Sequence, residues 1–174
     1  MLRNKIDPTK LTEHDAEQLA SLLMRHEQSR IDHSLIKTTE AGADLQLTHH
    51  LLRAEKFNPR TKQNECRYYV VERDNEIGQG SFGSVHKVTG VITIDQKSKK
   101  AVYKKHQSDK QRIVKKCSYK NKRTETIALL EKEVSALSKT GYHHVKPIVL
   151  DSDSAYIVSA QFKSCDLFDF ITDL

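Results

Sequence analysis

The sequence predicts an α+β protein, in which a helical N-terminal segment precedes a five-stranded antiparallel sheet with one major helix. Three observations lead to this prediction. Apolar residues recur at helical spacing before residue 57, β-branched and aromatic residues form short runs after residue 66, and one amphipathic helical pattern separates the last two runs from the others. At 174 residues the chain suits one domain with an appendage, so we expect units at 1–62 and 63–174.

Two helices are expected in the segment 1–62. Thr12 and Asp15 have the spacing of a capping box, and the helix they begin extends to about residue 30. A second helical stretch is predicted from about Asp44 to Lys56, before Asn58-Pro59 interrupts the pattern. No chemical motif occurs in this segment, so we expect it to serve structural or regulatory packing.

Five strands and one major helix are expected downstream. The helix begins at Thr124 and ends near Gly141, because a glycine commonly follows the last helical residue. A further helix is predicted to start at 166–173. The predicted strands lie at 68–77, 85–94, 101–103, 146–150 and 155–159.

A glycine-rich motif lies between the first two predicted strands. Residues 78–85 read Gly-Gln-Gly-Ser-Phe-Gly-Ser-Val and fit the pattern G-x-G-x-x-G-x-V. Glycines let the backbone approach phosphate oxygens without a side chain in the way, which a nucleotide site requires. A dinucleotide-binding motif would continue directly into a helix, and a P-loop would have Lys and Ser/Thr behind the glycines. Here a strand follows the glycines, and the P-loop residues are absent.

With strands on both sides and Phe82 at its tip, the motif resembles the glycine-rich loop of the protein kinase family. The resemblance covers about residues 66–174, and it implies a kinase-like small lobe that binds ATP. The residues that it places against the nucleotide in this loop are Ile77, Gly78, Gly80, Ser81, Phe82, Gly83 and Val85.

The resemblance also implies a lysine for the ATP phosphates. Residues 101–104 are similar to the third-strand V-A-I-K signature, so Lys104 is expected to contact the α- and β-phosphates and Val102 to face the adenine. Lys105 is the alternative if the register differs by one. A helix glutamate should orient this lysine, and both Glu131 and Glu133 flank the apolar stripe of the predicted helix. Similarity to the family's E-I-x-x-L helix favours Glu133.

Residues 153–162 resemble the fifth strand and the hinge between the two kinase lobes. The resemblance places Ser159 at the gatekeeper position behind the adenine. Backbone groups of Ala160 and Phe162 would hydrogen-bond the adenine, and Asp166 would face the ribose hydroxyls. Residues 166–171 are also similar to the first helix of the larger lobe in many Ser/Thr kinases.

The residues that perform phosphoryl transfer are not found in the sequence. Kinases take the substrate proton with the Asp of H-R-D-L-x-x-x-N, and they hold Mg²⁺ with the Asn of that motif and the Asp of D-F-G. Neither motif occurs in the 174 residues. We therefore expect an ATP-dependent Ser/Thr-type phosphotransferase by resemblance, with its Mg²⁺ ligands in a larger lobe, and no phosphorylation by this chain alone. An inactive kinase-like regulatory or binding module is the alternative, and its protein substrate or docking partner is unknown.

A basic stretch adds another alternative. Residues 97–123 contain twelve Lys or Arg residues and one acid, Asp109. Such a block can bind nucleic acid, an anionic membrane surface or an acidic partner. A solvated, partly mobile insertion is favoured, because aromatic residues are not spaced through it as stacking platforms.

From its composition we expect the protein to be cytoplasmic, either in the cell that makes it or in a cell into which it is delivered. No apolar run approaches the ~20 residues of a membrane helix, and the N-terminus lacks the apolar core of a secretory signal. Cys66, Cys117 and Cys165 are odd in number and far apart, which predicts reduced thiols and neither a disulfide framework nor a zinc site.

Overall fold

The computed structural model describes residues 4–28, 35–36, 45–80, 83–107, 111–139 and 148–160. Within these ranges it contains two helices and ten strands, which confirms the α+β class. The helices are α1 (Glu13–Gln28) and α2 (Arg123–Lys139). The strands are β1 (Asn4–Ile6), β2 (Leu35–Ile36), β3 (Leu45–Leu47), β4 (His50–Asn58), β5 (Gln63–Gly80), β6 (Gly83–Ile94), β7 (Ala101–Lys105), β8 (Arg112–Ser118), β9 (Val149–Leu150) and β10 (Ser154–Ala160).

Eight of these strands form one curled antiparallel sheet, which is larger than the five-stranded sheet expected from the sequence. Its order is β2, β4, β5, β6, β8, β10 and β9, and β7 also pairs with β6. Strands β1 and β3 form a separate parallel pair. The sheet thus joins strands from both predicted units.

The N-terminal segment is only partly helical. The predicted first helix is confirmed as α1, but the predicted helix from about Asp44 to Lys56 is wrong, because these residues form β3 and β4. Adjacent Leu51 and Leu52 are both fully buried in different cores, which a strand permits because successive side chains point to opposite faces. Nine residue pairs with β5 fix β4 as a strand. The expected boundary near residue 62 falls in the turn of this hairpin.

Two hydrophobic cores lie on opposite faces of the sheet. On one face, α1 packs its apolar stripe, including Leu19 and Leu23, against Leu51, Val70 and Ile92. The other core contains residues from β2 to β10. We call the face that carries this second core the inner face. Its buried members are Leu35, Leu52, Tyr69, Val71, Val88, Val91, Val114, Tyr156 and Val158.

The sheet curls toward the inner face. Leu52 on β4 and Tyr156 on β10 line the same pocket, although three strands separate β4 from β10 in the sheet order. The opposite, outer face is covered by α1 at one end. At the other end α2 covers it, with Leu130 packed against Cys117, Ala155 and Ile157. The inner and outer faces of β8 and β10 therefore have different surroundings.

Candidate functional site

A bidentate ion pair joins the sheet to α2. The Lys115 ammonium on β8 donates to both carboxylate oxygens of Glu133, with Nζ–Oε1 and Nζ–Oε2 distances of 2.9 and 2.8 Å. Lys115 lies two residues before Cys117, so both side chains point to the outer face, where α2 packs. The two side chains are 24% and 29% exposed, so the pair is partly shielded from water.

Strand pairing places further side chains beside Lys115. Its direct partners are Val85 on β6 and Ile157 on β10. One step away, Ile113 pairs with Lys87 and with Ser159. Directly opposed residues of antiparallel strands share a face. Val85 and Ser159, two residues expected at a nucleotide site, therefore lie on the same face as Lys115 and Glu133. We call this group the outer-face cluster; its members are Val85, Ile113, Lys115, Glu133 and Ser159.

The described residues of the glycine motif, 78–80 and 83–85, lie in the paired ends of β5 and β6. Gly78 pairs with Val85, and Gly80 pairs with Gly83. Ile77 lies in β5 between the pairs Glu76–His86 and Gly78–Val85, where the register of the two strands shifts. Ser81 and Phe82 lie outside the described residues. The hairpin therefore ends next to β8, the strand that carries Lys115.

Gly83 is required by the local backbone. Its φ of 146° lies in a region that residues with a side chain rarely adopt, and a Cβ built there would overlap the carbonyl oxygen of Lys116. The glycine thus lets β6 begin in close contact with β8. This packing role is independent of any phosphate contact.

Lys104 is not the partner of Glu133. It lies on β7 opposite Val91, and Lys105 lies opposite Gly90. Val91 is six residues along β6 from Val85, the partner of Lys115, which corresponds to about 20 Å of strand. Val102, expected against an adenine, is 48% exposed. The structure therefore separates Lys104, Lys105 and Val102 from Glu133.

The error arises because the third predicted strand is divided in two. Strands β7 and β8 both pair with β6, and their nearest partners there, Gly90 and Val88, are two residues apart. The corresponding residues on the returning chain, Lys105 and Arg112, are seven apart. Five additional residues thus interrupt this strand. Ala-Val-Tyr-Lys is its upstream half, and the half beside α2 carries Ile113 and Lys115.

A sequence signal for Lys115 exists within the basic stretch. Ile113-Val114 is a β-branched pair between charged residues, and a lysine follows it 18 residues before Glu133. Treating 97–123 as a solvated insertion concealed this strand. Lys115 and Ile113 are thus the two residues of the outer-face cluster that sequence reasoning missed.

The end of β10 carries the described part of the expected hinge. Ser159 and Ala160 are the last two residues of the strand, and they pair with Ile113 and Arg112. Phe162 and Asp166 lie outside the described residues. Strand β10 thus ends beside the first two residues of β8.

The basic side chains of 97–123 serve several structural roles. Lys100 forms an ion pair with Glu13 of α1, and Lys115 pairs with Glu133. The Arg123 guanidinium lies 5.4 Å from the ring centroid of Tyr119. These contacts are on different elements, and they engage three of the twelve basic side chains of the stretch.

The charges near Lys115 affect a buried thiol. Burial raises the pKa of Cys117, and Glu133 raises it further, whereas Lys115 acts in the opposite direction. The thiol is 3% exposed and packs under α2. It therefore behaves as a small apolar side chain of this core.

Among the described residues, no group of three or more His, Cys, Asp and Glu side chains is arranged to hold a metal ion. In the same residues, neither helix is long and apolar enough to cross a membrane. The outer-face cluster thus offers a cation, a carboxylate and apolar neighbours. Comparison with known proteins gives no match: no family model, curated protein or solved structure is significantly similar to the chain.

Proposed function

We propose that this chain provides the ATP-binding small lobe of a Ser/Thr-type protein kinase, with Lys115 as the lysine that contacts the phosphates. The Lys115–Glu133 ion pair carries the proposal. A lysine side chain is flexible, so a site that positions phosphate groups needs a partner to orient its ammonium group. Protein kinases use a strand lysine and a glutamate of the next helix for this purpose.

The neighbours of the pair support the same function. Val85 follows the glycine motif, and Ser159 lies near the end of β10, where the resemblance expects the gatekeeper. Together with Ile113 they form an apolar and weakly polar surface beside the ammonium group. An adenine ring could pack on this surface while its phosphates reach Lys115.

The order of elements also supports the proposal. Strands β5, β6 and β8, helix α2, and strands β9 and β10 follow one another as the three strands, one helix and two strands of the predicted small lobe. Strand β7 is an addition produced by the interruption of the third strand. The glycine-rich hairpin, the lysine strand and the glutamate helix are contiguous.

Phosphoryl transfer to a protein hydroxyl would need further residues. The proton-accepting aspartate and the Mg²⁺ ligands of a kinase belong to its larger lobe, which also binds the protein substrate. The role proposed for this chain is to hold ATP. Lys115 would bind the α- and β-phosphates, and Glu133 would keep its ammonium group in place.

The experiment is a titration of the protein with a fluorescent ATP analogue in the presence of Mg²⁺. A hydrogen bond between charged groups contributes about 1.5–3 kcal/mol, so Lys115→Met should weaken binding by about 10-fold or more. Glu133→Gln should weaken it less, because the lysine remains. Lys104→Met is the matched control, and its affinity should stay within about twofold of the unchanged protein.

Equal losses in Lys115→Met and Lys104→Met would contradict the proposal, as would a loss in Lys104→Met alone. Absence of saturable binding to the unchanged protein would also contradict it. Far-UV circular dichroism of each variant shows whether the fold is retained.

A further inference from the structure

A pocket lies on the inner face of the sheet, opposite the Lys115–Glu133 pair. Its volume is about 280 Å³, near the lower end for small-molecule sites. Four of its eight lining side chains are aliphatic and four are polar. The aliphatic residues are Leu35, Leu52, Val71 and Val114, and the polar ones are His50, His86, Lys116 and Tyr156.

Strand pairing places three polar lining residues, Tyr156, Lys116 and His86, near one another, and we call this part of the pocket its polar end. Tyr156 pairs with Lys116, which pairs with Ser84 on its other side, so these three residues form one row across β10, β8 and β6. In the next row His86 pairs with Val114. His86 also contacts Ser84, with an Nε2–Oγ distance of 2.9 Å. These two neighbouring rows bring a phenol, an ammonium group and an imidazole together.

Two atoms at this end have unused hydrogen-bonding capacity. Within the described part of the chain, the Tyr156 hydroxyl and His86 Nδ1 are buried and make no hydrogen bond within 3.5 Å. The Ser154 side chain lies close enough to the Tyr156 hydroxyl to lower its pKa slightly, so that hydroxyl is at most weakly engaged. Tyr156 is only 3% exposed. Burying a hydroxyl without a hydrogen-bond partner costs free energy. A ligand oxygen that accepts a hydrogen bond from it would remove this cost and so favour binding of the ligand.

Tyr156 remains a donor at neutral pH. Burial raises the pKa of its hydroxyl, and the nearby carboxylates of Asp151 and Asp153 raise it further. The half-buried Lys116 ammonium is the adjacent positive charge. The polar end thus offers donors and the Lys116 cation, and that cation must offset the nearby Asp151 and Asp153 carboxylates when an anionic ligand binds. Leu35, Leu52, Val71 and Val114 supply aliphatic surface.

We propose that this inner-face pocket binds a small amphiphilic carboxylate, whose carboxylate group contacts Lys116 and Tyr156 and whose apolar part packs against Leu52, Val71 and Val114. The site lies on the opposite face of β8 from Lys115, because Lys116 and Lys115 are adjacent in the strand. It is therefore separate from the proposed nucleotide site, and its ligand need not compete with ATP.

The test is a titration of the ¹⁵N-labelled protein with octanoate, followed by amide chemical shifts, with octanamide as the neutral ligand of the same shape. Octanoate should bind saturably at millimolar or lower concentration, shift the amides of His86, Val114 and Tyr156, and bind at least 10-fold more tightly than octanamide. Lys116→Met should weaken octanoate binding by at least fivefold and Tyr156→Phe by at least threefold.

Lys105→Met, which removes an exposed lysine of β7, is the control and should leave octanoate affinity unchanged. The proposal is overturned if octanoate does not saturate, if octanamide binds equally well, or if Lys116→Met and Lys105→Met have the same effect. Retained amide dispersion in each variant shows that a loss of binding does not come from unfolding. None of these outcomes depends on nucleotide binding.

Discussion

The carboxylate of Glu27 anchors α1 to the β4–β5 hairpin, and its removal should measurably destabilise the fold. One oxygen, Oε1, accepts hydrogen bonds from Arg53 Nε at 2.5 Å, the Tyr68 hydroxyl at 2.7 Å and the Cys66 thiol at 3.1 Å. The other oxygen accepts from Arg53 Nη2 at 3.1 Å. Burial alone would raise the pKa of Glu27, but these contacts outweigh it and lower the pKa from 4.5 to about 2.

The lowered pKa gives the magnitude of this effect. A lowering from 4.5 to about 2 corresponds to about 3 kcal/mol of stabilisation of the ionised carboxylate. The Glu27 side chain is 31% exposed, so screening by solvent reduces this value to about 2 kcal/mol. We therefore expect Glu27→Gln to lower the free energy of unfolding by about 2 kcal/mol at pH 7.

The pH dependence has a definite sign. Because the folded-state pKa lies below the unfolded value, the stabilisation is complete above about pH 4.5 and is lost as the pH falls toward 2. Urea unfolding followed by circular dichroism at pH 7, 5 and 3 measures it, and the difference between the unchanged protein and Glu27→Gln should be less than half as large at pH 3.

Glu55→Gln is the control for this experiment. Glu55 accepts from the same Arg53 guanidinium at 3.0 Å but is 44% exposed, so the substitution should cost no more than about 0.5 kcal/mol. A cost below 0.5 kcal/mol for Glu27→Gln, or one that does not change with pH, would refute the reasoning.

Three further predictions concern the hairpins and the thiols. Gly83→Ala should lower the free energy of unfolding by about 2 kcal/mol or more in urea titrations. The φ angle at this position is unfavourable for alanine, and the alanine Cβ would overlap the Lys116 carbonyl oxygen. A neutral effect would contradict the close contact between β6 and β8. Burial and the Glu27 carboxylate raise the pKa of the Cys66 thiol to about 12, so little reactive thiolate is present at pH 8. In a Cys165→Ser variant, iodoacetamide at pH 8 should therefore modify Cys66 at least 10-fold more slowly in the folded than in the urea-unfolded protein. Mass spectrometry of the modified peptide measures the rate, and equal rates would contradict the placement of Cys66. Deletion of residues 106–110 should join β7 and β8 into one strand with unbroken pairing to β6, and loss of cooperative unfolding would show that these residues are needed for the fold.

Local sequence patterns predicted the elements that depend on nearby residues. The Thr12 hydroxyl accepts a hydrogen bond from the Asp15 amide at 3.1 Å, as the capping spacing indicates, and α1 begins there. The helix expected from Thr124 corresponds to α2. Both elements have an apolar stripe at helical spacing, which does not depend on distant parts of the chain.

The errors concern elements that depend on distant partners. Leu51 and Leu52 fit a helical pattern, but pairing with β5 places them in two different cores, and a single sequence does not reveal that pairing. Sequence motifs predict Val85, Ser159 and Glu133 as candidate site residues, and strand pairing and the ion pair place them on one face with Lys115. Lys115 was missed, because only the pairing of both β7 and β8 with β6 shows that one strand has been divided.

The most direct test of the central proposal identifies the lysine that lies beside bound nucleotide. An acyl phosphate of ATP transfers its acyl group to a lysine amine next to the phosphates, and peptide mass spectrometry locates the modified residue. We expect Lys115 to be acylated and excess ATP with Mg²⁺ to prevent this modification. Preferential, ATP-protected acylation of Lys104, or acylation spread over the exposed lysines without protection by ATP, would contradict this expectation.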